Sequence, residues 1–180
     1  MLEFFDFIIV QGKYVVALSA FVAIFGGAIL FNAKKLIPKN EKKYKLVGGL
    51  MFAQLFVVVF LYLFSLFMFT SFTRKQVRSY IDSGEIIINI NNTKLDSVSS
   101  KKLKQELRKI GGIPAHHSWP IGEISIELIK HSDTIRLTAK RDSDIEGEFW
   151  IFYPKFELNN EVGRMRSAVL GEFVKIEEEY

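Results

Sequence analysis

The stretch Leu46–Thr73, LVGGLMFAQLFVVVFLYLFSLFMFTSFT, holds twenty-eight residues without a charge. A helix of roughly 20 apolar residues crosses a hydrocarbon core about 30 Å thick. At about 1.5 Å per residue this run reaches about 42 Å, so it tilts or projects past the interface. A shorter uncharged run, Tyr14–Phe31, precedes it with eighteen residues. Lipid offers the backbone no hydrogen-bond partner, so both runs are expected as helices. The segment between them, Asn32–Lys45, holds Lys34, Lys35, Lys39, Lys42, Lys43 and Lys45 against one acid, Glu41, with Pro38 suited to a tight turn. The organisation expected is a transmembrane hairpin over residues 1–73, with spans at about 14–31 and 46–73. A helical connector (74–84) and a soluble α+β domain (85–180) follow.

The net charge of +4 suggests an anionic partner until the chain is divided. Residues 1–73 carry seven Lys/Arg and three Asp/Glu, whereas residues 74–180 carry seventeen of each. The excess belongs to the membrane half, where it governs topology. The neutral remainder gives no reason to expect direct nucleic-acid binding. The chain has no cysteine, which removes disulfides, thiolate metal sites and thiol nucleophiles together. Neither run contains a charged residue, which argues against an ion-coupled transporter or proton relay. Glu3 and Asp6 replace a basic leader, and no Ala-x-Ala-like site follows the first run, so a cleaved signal peptide is not expected.

Phe52, Phe56, Phe60 and Phe64, followed by Met68, recur every four residues and form one stripe. Gly26-Gly27 and Gly48-Gly49 are surfaces on which helices approach closely. Gln54 and Ser19 are polar groups at membrane depth, and Gln54 suits a bond across helices. Two readings stay open. The stripe faces lipid while the glycines close the hairpin internally, or the same features drive assembly into a homo-oligomer. Six linker lysines face Lys13, Arg74, Lys75 and Arg78 on the other side. The positive-inside count therefore places the linker in the cytoplasm and the soluble domain outside.

In the soluble half, Arg74–Ser83 continues the second helix, and Ser83-Gly84 ends it. Glu85–Ile90 reads as a strand and Asn91-Asn92-Thr93 as a turn. Ser99 or Ser100 caps a helix to Ile110, with Leu103, Leu107 and Ile110 on one face and Gly111-Gly112 as the stop. Its lysines and arginines read as a solvated face, or as a contact for phosphates or anionic lipid. Ile113–Pro120 is a loop. Glu123–Lys130 and Thr134–Arg141 alternate as strands around the turn His131-Ser132-Asp133. Phe149–Tyr153 is a third strand of this series, apolar on both faces. Asn160 caps a last helix through Val162, Met165 and Val169. The order β-α-β-β-β-α predicts an antiparallel sheet with two helices on one face.

Candidate binding residues are His116, His117, Trp119, Arg141, Asp142, Tyr153, Arg164 and Arg166. Adjacent histidines titrate near neutral pH and ligate metals. A site needs a third ligand, for which His131 is available, but no H-x-x-H spacing is present. A metal hydrolase on His116 and His117 is thus a minor alternative. The reading against it is a loop pair that fixes the approach to Trp119. Arg164 and Arg166 fall at the start of the expected last helix, where amide groups hold anions. No Gly-rich phosphate loop, serine triad or paired-carboxylate cleft assembles, so no catalytic residue, metal or cofactor is assigned.

The series His116-His117-Ser118-x-Pro120, Arg141-Asp142-Ser143, Phe149–Lys155 (FWIFYPK) and Asn160–Arg164 (NEVGR) resembles that of small bacterial membrane proteins with two N-terminal spans and a compact C-terminal domain. The layout is also similar to two-span membrane effectors of antiphage defence, such as those encoded beside retron reverse transcriptases. The resemblance implies an inner-membrane protein held inactive by a regulatory partner, whose release lets the helices disrupt the bilayer like a toxin. It also implies a cytosolic soluble domain, opposite to the charge count. The sequence thus leads to a membrane-anchored effector, with a non-toxic periplasmic sensor or adaptor as the alternative.

Overall fold

A computed structural model of the chain describes residues 2–36, 38–114, 117–156 and 161–178. Two compact units divide between Phe69 and Thr70.

The first unit holds α1 (Leu2–Leu36), a 3-10 turn (Pro38–Asn40) and most of α2 (Glu41–Asp82). Both helices are long and apolar enough to cross a membrane. Gly12 lies on the Tyr62 ring, Ser19 bonds Gln54, and Gly26 meets Gly48. Partner numbers fall as the first number rises, so the two helices pack antiparallel. Both extend beyond the uncharged runs. Neither Gly nor Pro interrupts Thr73–Asp82, so α2 propagates until Ser83-Gly84, where Gly84 takes φ +137°.

The second unit is a six-stranded antiparallel sheet: β1 (Ile87–Ile90), β2 (Thr93–Lys94), β3 (Pro120–Lys130), β4 (Asp133–Asp142), β5 (Glu148–Phe152) and β6 (Glu161–Arg166). The spatial order is β2-β1-β3-β4-β5-β6. α3 (Ser97–Leu107) lies between β2 and β3 in the chain, and α4 (Ala168–Glu178) follows β6. Ile124, Ile126 and Leu128 of β3 and Ile135, Leu137 and Ala139 of β4 are buried. Their neighbours Ser125, Glu127, Arg136 and Thr138 share the other face by strand alternation. Leu103 and Leu107 are buried from one face of α3, which ends at Leu107 and not at Ile110; Ile110 is buried from the turn that follows.

Three further expectations are corrected. Asn91 and Asn92 alone make the turn, both at positive φ, and Thr93 begins the short strand β2. α3 starts at Ser97, because the Asp96 carboxylate accepts from the Val98 and Ser99 amides and caps the helix before Ser99 or Ser100 does. The third correction is the largest: residues 161–166 are a strand, not the start of the last helix. Gly163 sits at φ +145°, which no α-helix accommodates, and the register with β5 slips beside it. Val162 and Met165 are buried from this strand. The helix begins after Ser167, whose hydroxyl accepts from the Leu170 amide at 3.0 Å. Asn160 lies outside the described residues.

Both sheet edges are managed. β2 is only two residues long. Along β6, the Val162 carbonyl accepts from Arg74 Nε, and the Arg164 carbonyl accepts from the Gly111 amide at 2.9 Å.

Candidate functional site

Asp142 ends β4 and is buried. Its Oδ2 accepts from Ser118 Oγ at 2.6 Å and from Trp150 Nε1 at 2.8 Å. Its Oδ1 accepts from the Asp144 and Ile145 amides, each at 3.0 Å. Burial alone raises the pKa of this carboxyl. The donors from Ser118, Asp144, Trp150 and Ile145 outweigh burial and hold it well below the usual carboxylate range. The carboxylate is thus a fixed anionic hub joining three chain segments.

The hub sets the loop before β3. Ser118 is held by Asp142, while the Trp119 amide donates to Ser143 Oγ at 3.2 Å and its carbonyl accepts from the Ser143 amide at 3.0 Å. On this pinned backbone the Trp119 residue is 63% exposed, and His117 beside it is exposed too. Across the sheet, the Arg164 guanidinium stacks on the Trp150 ring at 3.5 Å from its centroid, and Arg164 is buried. Trp150 therefore donates to Asp142 with its nitrogen and receives Arg164 on its face.

The expected residues divide accordingly. Asp142, Trp119 and Arg164 gather around Ser118, Ser143 and Trp150. Arg141 alternates to the opposite face of β4 from Asp142. Arg166 is on a strand, so neither it nor Arg164 stands at a helix N-terminus; Arg166 Nε lies 3.8 Å from the fully buried Glu148 carboxylate. Tyr153 follows the far end of β5, buried edge-on against Phe156 at 5.1 Å, and burial raises its phenol pKa. His116 lies outside the described residues. His131, at φ +51°, sits in the β3–β4 turn. Pro120 pairs with Asp142 at the opposite end of that hairpin. About ten residues at 3.3 Å separate those ends, so His131 does not approach His117. Among the described residues no group of three His, Cys, Asp or Glu is placed to hold a metal ion. Ser118 donates straight to a carboxylate of lowered basicity, which makes it a strut and not an activated nucleophile.

Ser118, Ser143 and Trp150 were missed as site residues. Trp150 sits in a run that is apolar on both faces; the register sets it opposite Lys140, two positions from Asp142, whose carboxylate its indole nitrogen reaches.

In the helical unit, a Cβ on Gly26 would lie 2.5 Å from the Met51 Cβ and 2.8 Å from the Gly48 carbonyl oxygen. One on Gly48 would lie 2.6 Å from the Gly26 carbonyl oxygen. Gly27 and Gly49 have only ordinary contacts, at 3.7 Å to the Phe52 ring and 4.0 Å to Leu30. Ser19 Oγ donates to Gln54 Oε1 at 2.8 Å, and Gln54 Nε2 returns a bond to the Ser19 carbonyl at 2.9 Å. Phe52, Phe56, Phe60 and Phe64 are all exposed. Phe52 meets Phe56 edge-on at 5.7 Å, and Phe60 stacks on Phe64 at 6.4 Å.

No protein-family model, curated protein or solved structure matches the chain.

Proposed function

We propose that this chain is a membrane effector of bacterial antiphage defence. Its two apolar helices form a transmembrane hairpin in the inner membrane, and its sheet domain receives a regulatory partner or signal. The hairpin then self-associates through its Phe face and disrupts the bilayer. The observation that carries this reading is the division of α2 into two faces. Gly26, Gly48, Ser19 and Gln54 are engaged between α1 and α2, while Phe52, Phe56, Phe60 and Phe64 are exposed. Helices associate in lipid by van der Waals fit, and an aromatic row offers a large surface for it. The pinned loop with exposed Trp119 supplies the input surface, since rigid aromatic side chains anchor interfaces. The two-span layout supports the disruptive output.

Induced expression with a membrane-potential dye tests the proposal. Depolarisation is expected, and Phe56→Ala with Phe60→Ala abolishes it while insertion persists. An unchanged potential under every triggering condition rejects the reading. A second reading, a non-toxic periplasmic sensor or adaptor, draws on the same Trp119 loop and on the six linker lysines. It expects position 132 outside the cytoplasm and no depolarisation.

A further inference from the structure

Where α2 leaves its uncharged run, Ser71, Arg74, Lys75, Arg78, Ser79 and Asp82 line a groove of about 600 Å³. Their spacing of three and four residues puts them on one helix face. Two of the cations are fixed at one end. Arg74 Nε donates to the Val162 carbonyl, and an Arg78 Nη donates to the Ile110 carbonyl at 2.7 Å. A guanidinium has five N–H groups, so each arginine keeps donors beyond the bond that positions it. Lys75 and Arg78 are exposed, and Arg74 is half-buried. The acid among the six, Asp82, is held by Arg108 at 2.6 Å. Burial lowers the Arg74 pKa, the neighbouring Arg78 charge lowers it further, and Glu161 opposes both. The arginine stays charged at neutral pH, and a ligand anion relieves the repulsion between the pair.

We infer that this groove binds the phosphate of an anionic phospholipid headgroup. The membrane source follows from the position of the cations along α2. A bilayer of about 40–45 Å with a core of about 30 Å leaves a headgroup layer about 5–8 Å deep on each side. From Thr73, the last residue of the uncharged run, to Arg78 the helix advances about 7.5 Å. With α2 tilted so that its uncharged run ends at the core boundary, Arg74, Lys75 and Arg78 occupy the layer in which lipid phosphates sit, with two of the three already oriented. The site needs the two spans but not a disruptive output, so a failed depolarisation experiment leaves it standing.

The test places the full chain in nanodiscs of phosphatidylcholine containing phosphatidylglycerol, and counts retained lipids by native mass spectrometry. Selective retention of phosphatidylglycerol is expected, undiminished by added inorganic phosphate. Lys75→Gln, which alters no bond to the sheet domain among the described residues, lowers that retention about fivefold, in line with about 1 kcal/mol per juxtamembrane cation; Arg78→Gln lowers it at least as much. Equal retention of both lipids overturns the inference, as does retention unaffected by Lys75→Gln. Displacement by inorganic phosphate also overturns it and assigns the groove to a soluble anion.

Discussion

Ser118 Oγ donates to Asp142 Oδ2 at 2.6 Å across twenty-four positions of sequence, and this bond holds the loop on which Trp119 is displayed. Asp142→Ala removes the acceptor for Ser118, for the Trp150 indole and for two backbone amides. Loss of about 1–3 kcal/mol of stability is expected, because buried donors left without acceptors keep their desolvation cost. Denaturant unfolding of the full chain in detergent measures it, and Ser118→Ala is expected to cost less.

The same carboxylate gives a pH dependence. Its folded pKa is depressed, so between the folded and unfolded values the unfolded chain binds the additional proton. The contribution is fully present above the unfolded value of about 3.9 and is lost as pH falls through the folded one. Thermal unfolding of the intact protein between pH 6 and the acid limit is expected to show this loss, with a shallower slope in Asp142→Asn.

Trp119→Ala separates display from folding. The side chain is exposed and its backbone bonds survive substitution, so a stability change within about 0.5 kcal/mol is expected. The depolarising response proposed for the full chain should be lost at unchanged membrane abundance. A normal response with the alanine in place would remove Trp119 from the input surface.

Gly26 and Gly48 are expected to reject side chains that Gly27 and Gly49 accept. Gly26→Ala or Gly48→Ala already presses into the facing helix, where overpacking costs about 1–3 kcal/mol. Thermal melting in detergent is expected to fall for these two. It should change little for Gly27→Ala and Gly49→Ala, whose added methyl group meets nothing closer than ordinary contact.

The parts legible in the sequence are those set by one-dimensional pattern. The charge-free runs mark the two long helices. The strict alternation in Glu123–Lys130 and Thr134–Arg141 marks the central strands. What escaped depends on contacts between distant positions. Val162, Met165 and Val169 have helical spacing, yet the first two belong to an edge strand. Pairing with β5 and the carbonyl bonds to Arg74 and Gly111 compensate for that choice, and neither is visible locally. Asp142 is a candidate from its sequence alone, but its place as a hub is not legible there, because its donors come from Ser118, Asp144, Ile145 and Trp150. The stacking of Arg164 on Trp150 likewise needs the cross-strand register.

The most direct measurement uses the absence of native cysteine. Single cysteines at Lys39, in the turn between the helices, and at Ser132, in the β3–β4 turn, are treated with an impermeant maleimide in intact spheroplasts. A two-span hairpin places these positions on opposite sides of the membrane, so one of them should label and the other should label only after lysis. Equal labelling of both before lysis would contradict two spans, and with them the effector built on them.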